Sequence, residues 1–299
     1  MDPFLPTNLP AERVVARVGL ISDTHMPERC AALPPSLFEV LRGVDLLLHA
    51  GDVGELWVLE RLSAIASLVA VHGNDDTPDA TRELPYQQLV AVAGVRILLW
   101  HSHYRDPAQE MASRRNDDWY VHLRRCAERG RRAGAKIVVF GHAHIPLTCQ
   151  YEDVWLVNPG ALASGNAFTR QLRQTVALLF IRDDGTPFVT HVDLAAPERA
   201  YTPHVDWEAG FRAALDPYSA TIAAPDLANA VARLTQQRFA APEALKAAVL
   251  RVSHRCWAGE QPTITRADLL AEVRGDADVP VVDKAQVERI LLGKVKRET

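Results

Sequence analysis

Five short apolar runs in the first half of the chain each lead into Asp, Asn or His, and this feature most constrains the fold. Each run is shorter than a typical helix and is bounded by Gly, His or Asp, which predicts a buried strand. The runs are RVGLIS, VDLLLHA, SLVAVHG, VRILLW and KIVVFG. Between the second and third runs, ELWVLERLSAIA carries leucines at helical spacing. Strand and helix in alternation predict an α/β domain.

The polar residues that follow these strands are of the types that bind metals. They are Asp23, His25, Asp52, Asn74, His101, His103, His142 and His144. Ligands bind at the carboxyl ends of strands in α/β folds, so we expect these side chains to share one crevice. Imidazole, carboxylate and amide oxygen suit Mn²⁺, Fe or Zn²⁺. There are too many donors for a single ion, and they fit two ions that share a bridging carboxylate.

Taken singly, each histidine has a simpler interpretation. A lone histidine such as His49 or His72 is expected to be a hydrogen-bonded structural residue rather than a ligand. The set is harder to explain in this way, because buried polar groups without partners are too costly to accumulate at five strand ends. The pattern therefore favours a metal site.

Composition excludes several other classes of protein. The formal net charge of −4 disfavours a generic nucleic-acid-binding surface. No apolar run approaches the roughly 20 residues that span a bilayer, and the first residues lack the order of a signal peptide. The cysteines are scattered, which predicts free thiols and a cytoplasmic protein. They are Cys30, Cys126, Cys149 and Cys256.

The chain is expected to contain two domains, at residues 14–200 and 205–299. Later apolar runs (VWLVN, QTVALLFI and TPFVTHVDL) suggest a second, hairpin-rich sheet, and strand patterning stops near AAPERAYTPHVD. Helical segments follow, with Pro242 suited to a first helical turn and a capping box predicted at Thr265 and Asp268. The second domain is therefore predicted to be a helical extension. Its role is open: it could hold a protein partner or form a homo-oligomer.

The motifs SDTH, HAGDV, HGND, GHAH and NPGA, in this order, resemble those of the calcineurin-like metallophosphoesterases. The short flanking features are similar to its small phosphodiesterase branch, which includes the retromer-subunit relatives. The resemblance extends over roughly residues 15–195. It implies an α/β fold of four layers, an αββα sandwich of two mixed β-sheets flanked by helices.

The resemblance also implies roles for the donor residues. Asp23, His25 and His144 would hold the first metal, Asn74, His101 and His142 the second, and Asp52 would bridge them. The expected cofactor is two divalent transition-metal ions, with manganese favoured and iron, zinc or nickel as alternatives. A metal-bridging hydroxide would attack a small phosphoester substrate, most simply as a phosphodiesterase. Alternatives are a phosphomonoesterase, a nucleotide pyrophosphohydrolase, or a non-catalytic protein-interaction scaffold. The complete ligand set argues against the scaffold.

One position departs from the family pattern. Many members have His after the Asn, where it can protonate the leaving group, and this chain has Asp75. A carboxylate of ordinary pKa is poorly protonated at neutral pH. The proton would then come from His103 or a metal-bound water, or the enzyme would prefer good leaving groups. Asn158 and Gly160 of NPGA are expected to support the site.

An arginine-rich stretch lies between His103 and GHAH. Its apolar positions, Trp119, Leu123 and Cys126, recur at helical spacing. A basic helix beside a phosphoester site could recruit an anionic substrate. The favoured interpretation is a solvated face paired with Asp117, Asp118 and Glu128.

Overall fold

The computed structural model describes residues 4–5, 9–234 and 236–293. The segment DLANAVARLTQQ and the helical extension predicted over 205–299 therefore include residues outside the described ones. The strands are β1 (Val14–Ile21), β2 (Leu46–His49), β3 (Leu68–Ala70), β4 (Gln87–Val92), β5 (Val95–Trp100), β6 (Ile137–Phe140), β7 (Leu147–Tyr151), β8 (Val154–Asn158), β9 (Thr169–Gln171), β10 (Thr175–Arg182), β11 (Pro187–Asp193) and β12 (Ser219–Thr221).

The helices lie between and after these strands. They are α1 (Pro35–Val40), α2 (Trp57–Ser63), α3 (Pro78–Glu83), α4 (Pro107–Ser113), α5 (Trp119–Ala133), α6 (Phe211–Leu215), α7 (Ala228–Leu234), α8 (Pro242–Trp257), α9 (Arg266–Gly275) and α10 (Val281–Leu291). Among the residues that the structure describes, no helix has the length and hydrophobicity needed to cross a bilayer.

Two mixed sheets of five strands form the centre of the fold. The first has the order β11-β10-β1-β2-β3, and the second has the order β4-β5-β6-β8-β7. Parallel pairing joins β1, β2 and β3 in the first sheet, and β5, β6 and β8 in the second. The outer strands pair antiparallel. Because the parallel strands end at one edge of each sheet, the residues that follow them are brought together.

The two sheets pack face to face, and helices cover their outer faces. Leu20 and Leu48 of the first sheet share a fully buried cluster with Ile97 and Val139 of the second. Helices α1 and α2 pack on the outside of the first sheet, and α5 packs on the outside of the second. The architecture is the predicted four-layer αββα sandwich, with apolar contact on every internal face.

Helix α5 shows how the local sequence specifies an element of this sandwich. Asp118 caps its first turn by accepting a hydrogen bond from Tyr120 N at 2.8 Å. The predicted apolar positions, Trp119, Leu123 and Cys126, are all buried. Gly134 ends the helix in a left-handed conformation, φ 62°, which glycine adopts without a steric penalty.

The chain divides into two compact units. The first comprises Met1–Gly165 and Gln171–Ser219, and the second comprises Asn166–Arg170 and Ala220–Thr299. In the second unit, helices α8, α9 and α10 bury an apolar cluster that includes Val252, Leu269 and Val287. The capping box at Thr265 and Asp268 is confirmed, as are Pro242 in the first turn of α8 and the free state of the four cysteines.

Residues 201–219 fall in the first unit, beyond the predicted domain limit at residue 200. The ring of Trp119 packs against Trp207 at 5.5 Å and against Phe211 at 4.9 Å between ring centroids. Tyr218 is buried in the same cluster. These aromatic contacts complete the cover of the second sheet.

Candidate metal centre

Donor residues from both sheets meet at the carboxyl ends of the parallel strands. The ligand atoms of Asp23, His25 and His144 lie within 4.8 Å of one another, and those of Asp52, His101 and His142 form a second such group. His144 Nε2 is 3.2 Å from Asp23 Oδ1, and His101 Nε2 is 3.1 Å from Asp52 Oδ2. The first group consists of the residues expected to hold the first ion, and the second joins His101 and His142 of the expected second set to Asp52.

Asp52 lies between the two groups. Its Oδ2 is 3.6 Å from His25 Nε2 of the first group and 3.1 Å from His101 Nε2 of the second. A carboxylate in this position can reach both donor sets.

The backbone of the donor residues is strained. Left-handed φ angles between 44° and 69° occur at Asp23, His25, Asp52, His142 and His144. For residues other than glycine, such conformations cost on the order of 1–3 kcal/mol each and are concentrated at functional sites. The fold thus retains backbone strain at five of the candidate metal ligands.

Two glycines of the motifs allow the strand ends to approach each other. A Cβ on Gly73 would overlap Asp52 Oδ1. A Cβ on Gly141 would stand 2.7 Å from Ala50 O and 2.9 Å from Asp23 Oδ2, which is closer than real Cβ atoms come. These positions have no space for a side chain because the donor groups already fill it.

The buried carboxylates and imidazoles of the centre shift one another's pKa values. Burial opposes a charge on His101, yet the Asp52 and Asp23 carboxylates raise its pKa to about 10. Burial would raise the pKa of Asp23, but His144 lowers it to about 2. His25, for which burial is the largest influence, has its pKa lowered to about 3. The buried carboxylates therefore stabilise positive charge nearby, which a bound metal cation would supply.

Several buried nitrogen and oxygen atoms of the candidate ligands have no hydrogen-bond partner. His25 Nε2, Asn74 Oδ1, His101 Nε2 and His144 Nδ1 are buried and make no hydrogen bond. His101 Nδ1 donates to Ala50 O at 2.8 Å, which directs Nε2 toward Asp52. Buried polar atoms without partners are rare, and a divalent cation would satisfy these. The residues present fit a divalent metal.

Asn74 and Asp75 lie beside the centre. Asn74 Nδ2 donates to Asp75 Oδ1 at 3.0 Å, and Asp75 N donates to Asp52 Oδ1 at 2.8 Å. Burial and Asp52 would raise the pKa of Asp75, but Arg29, whose Nη2 is 2.8 Å from Asp75 Oδ2, lowers it. Asp75 is therefore ionised at neutral pH.

His103 lies two residues after His101 of the second donor group. Its ring centroid is 5.4 Å from that of His101, and it is 5% exposed. Its carbonyl oxygen accepts hydrogen bonds from Tyr86 and Arg125. Burial, with a contribution from His101, lowers the pKa of His103 to about 3, so that its ring is neutral at pH 7.

Three further residues near the centre, His49, Asn158 and Gly160, make the structural hydrogen bonds expected of them. His49 is hydrogen-bonded through both ring nitrogens, to Thr24 and Gly51, which confirms its structural role. Asn158 Nδ2 donates to Gly141 O at 2.9 Å and its Oδ1 accepts from Gly160 N at 2.9 Å. The NPGA turn thus holds the start of the GHAH loop, as expected.

Two charged residues at the site were missed in the sequence. Glu110 of α4 contacts His142, and Arg29 contacts Asp75. Glu110 lies in a polar segment without a periodic pattern, so nothing local marks it. For Arg29, the one local signal was its position four residues after His25.

The arginine-rich stretch is only partly the solvated face that the sequence predicts. Arg132 pairs with Glu128 at 3.8 Å. Arg125 instead turns inward, donates to Ser102 O, and stacks over Tyr104 with its guanidinium carbon 3.5 Å from the ring centroid. Asp117 and Asp118 accept backbone hydrogen bonds. The error arose because helical spacing does not show that Arg125 faces a strand end.

A four-layer αββα fold with Asp and His donors at its strand ends defines a metallophosphoesterase. The chain belongs to the calcineurin-like phosphoesterase superfamily, whose domain model matches residues 17–184. A probable metallophosphoesterase from Methanothermobacter thermautotrophicus is 33% identical over 144 residues, which are 48% of this chain and 76% of the relative. One from Methanocaldococcus jannaschii is 31% identical over 144 residues, 48% of this chain and 67% of the relative.

Solved structures similar to this chain include vacuolar protein sorting 29 from Cryptosporidium parvum. It is 21% identical in sequence and has a TM-score of 0.46. The match covers 60% of this chain and 97% of the vacuolar protein sorting 29 chain. An archaeal phosphodiesterase is 19% identical in sequence and has a TM-score of 0.40. The match covers 59% of this chain and 99% of the archaeal chain.

Proposed function

We propose that the protein is a dinuclear-metal phosphodiesterase. The observation that carries the proposal is the position of Asp52 between two donor groups, with ligand-type nitrogens of both within 3.6 Å of its Oδ2. Asp23, His25 and His144 would hold the first ion, and Asn74, His101 and His142 the second. Manganese is the favoured metal, with iron, zinc or nickel as alternatives. Borderline nitrogen and oxygen donors suit all four.

The protein's own groups would fix the geometry of the reaction. Two divalent ions bound there would lower the pKa of water to generate the nucleophile and neutralise charge on the phosphoryl oxygens. Asp52 would set the spacing of the two donor groups. The hydrogen bond from His101 to Ala50 O would keep the tautomer that leaves Nε2 free to bind. Asn158 would hold the loop that carries His142 and His144 through its bond to Gly141 O.

The environment of the candidate proton donors favours a good leaving group. His103 is neutral at pH 7 because burial lowers its pKa, and Asp75 is ionised because of Arg29. General acid catalysis typically contributes 10²–10⁴-fold, and neither residue is in the protonation state to supply it. Arg29 is already engaged by Asp75, which leaves it poorly placed to neutralise the second charge of a monoester. An activated diester is therefore the preferred substrate type.

The test compares two substrates with the same leaving group. Bis(p-nitrophenyl) phosphate and p-nitrophenyl phosphate are given to the manganese-loaded protein, with Asp52→Asn as the control variant. We expect a higher kcat/KM for the diester and loss of both activities in Asp52→Asn. Faster hydrolysis of the monoester would support the phosphomonoesterase alternative. Bound metal without hydrolysis of any phosphoester would support the scaffold.

A further inference from the structure

Asp75 joins Arg29 to the side-chain amide of Asn74. Arg29 Nη2 donates to Asp75 Oδ2 at 2.8 Å, and Asn74 Nδ2 donates to Asp75 Oδ1 at 3.0 Å. We infer that Arg29 and Asp75 are positioning residues that fix the Asn74 amide with its carbonyl oxygen toward the second metal. This inference rests on the proposed function, because it requires Asn74 to be a metal ligand.

The chemistry of a carboxylate forces this orientation. Asp75 Oδ1 accepts the hydrogen bond from Asn74 Nδ2, so the amide presents its NH₂ group to Asp75. The carbonyl oxygen of Asn74 is then directed away from Asp75. This oxygen is buried and has no hydrogen-bond partner. Only the oxygen of an amide binds a metal cation, so a half-turn of the Asn74 side chain would remove one ligand.

Arg29 is well placed to hold Asp75. Its side chain is 7% exposed, and its Nη1 donates to Gly165 O at 2.9 Å and Ser164 O at 3.3 Å. The Asp75 side chain is 33% exposed and would otherwise be free to turn into solvent. The backbone N–H of Asp75 also donates to Asp52 Oδ1 at 2.8 Å. One residue thus contacts the amide ligand and the carboxylate between the two donor groups.

Two other roles for Asp75 make different predictions. Its carboxylate has an oxygen within 4.8 Å of ligand atoms of His25 and Asp52, so it could bind a metal directly. It could also act only through its negative charge. Both roles predict that removal of the charge weakens metal binding whatever residue occupies position 74. The positioning role predicts that the loss depends on an amide at that position.

The experiment measures Mn²⁺ affinity by chelator-buffered titration of the full chain. Asp75→Asn is compared with the wild type, and the same change is repeated in an Asn74→Asp background, where both side-chain oxygens are equivalent. We expect Asp75→Asn alone to lower the affinity for the second ion about 10–100-fold, as loss of a group that hydrogen-bonds to a metal ligand typically does. The affinity for the first ion should not change. In the Asn74→Asp background, the same change should alter affinity by no more than about twofold. An equal loss in both backgrounds would overturn the inference.

Arg29→Gln gives a second test, in which a rise or a fall in Mn²⁺ affinity distinguishes a pure charge effect from positioning. Removal of a positive charge near the centre should strengthen cation binding if only charge matters. Loss of positioning should weaken the second ion instead, and that is the expected result. Tighter binding would overturn the inference. If Arg29→Gln does not fold, as judged by its thermal transition, the comparison of the two Asp75→Asn backgrounds decides alone.

Failure of this inference can be separated from failure of the proposed function. If the wild type binds two ions and Asp75→Asn binds them equally well, only the positioning role is wrong. If the wild type binds fewer than two ions, the dinuclear function is wrong, and with it the basis of the inference.

Discussion

Glu110 Oε1 lies 2.9 Å from His142 Nε2, so a carboxylate from helix α4 holds a candidate metal ligand. The same carboxyl group accepts hydrogen bonds from Tyr104 N at 2.9 Å and Arg114 Nε at 2.8 Å. Burial opposes ionisation of Glu110, but the bond from His142 outweighs it and lowers the pKa of Glu110. With Nε2 engaged, Nδ1 of His142 is the nitrogen left for a metal. Carboxylate–histidine–metal arrangements of this kind fix ring orientation.

Glu110→Gln should therefore weaken binding of the second metal about 10–100-fold. Glutamine keeps the volume and an acceptor, but it lacks the charge that fixes the imidazole. Isothermal titration with Mn²⁺ measures the change. Glu128→Gln is the matched control, because it breaks only an exposed pair with Arg132, and such pairs contribute about 0–1 kcal/mol to stability. Equal affinities in Glu110→Gln and Glu128→Gln would show that Glu110 does not orient His142.

Gly141→Ala should damage the centre because its Cβ would meet Ala50 O and Asp23 Oδ2 below 3.0 Å. We expect a loss of about 1–3 kcal/mol in the free energy of unfolding, as for other overpacked sites, together with weaker metal binding. Thermal denaturation and metal analysis report the two effects.

Gly165→Ala is the matched control for Gly141→Ala. Its Cβ would be 3.5 Å from the nearest atom, His144 Cε1, which is an ordinary contact. The variant should be close to wild type in stability and metal content. If the two alanine variants behave alike, the motif glycine is not required by close packing.

The early strands and their polar ends were predictable from the sequence for a physical reason. The run VRILLW coincides with β5, and its last four residues, 97–100, are buried and apolar, whereas Arg96 is exposed. His101, the first polar residue after this buried part, then marks where the strand ends. The edge strands β4 and β7 are half exposed and lack this contrast, so they were missed.

The outer contacts of the site could not be predicted. Glu110 lies 32 positions before His142 in a polar segment, and only the folded α4 brings them together. The contact of Trp207 with Trp119 was likewise not predictable. Trp207 follows the last predicted strand, and nothing in its local sequence shows that it packs in the first unit. Local pattern identifies what is buried, whereas long-range partners depend on the path of the chain.

The leaving group should control the rate of hydrolysis. Because His103 is neutral and Asp75 ionised at pH 7, we expect kcat/KM to fall steeply as the leaving-group pKa rises. His103→Ala should leave that slope unchanged. The measurement is kcat/KM for a series of aryl and alkyl diesters in both proteins. A steeper slope in His103→Ala would identify His103 as the proton donor.

The first unit should keep its metals when the chain ends after residue 219. All candidate ligands precede this point, and the segment that covers Trp119 is retained. A chain that ends after residue 200 should be less stable by several kcal/mol, because it loses the aromatic rings of Trp207, Phe211 and Tyr218. Thermal unfolding and metal content of both proteins check this. A soluble but metal-free protein ending at 219 would mean that the second unit contributes to the site.

The most direct test of the account is the metal content of the purified protein and of Asp52→Asn, measured with hydrolysis of the same samples before and after chelation. Asp52 lies between the two donor groups, so its loss should weaken the binding of two ions rather than one. We predict close to two ions per chain in the wild type, a marked loss of both in Asp52→Asn, and loss of activity on chelation that Mn²⁺ restores. Full activity in metal-free protein, or equal metal content and rate in Asp52→Asn and wild type, would contradict the account.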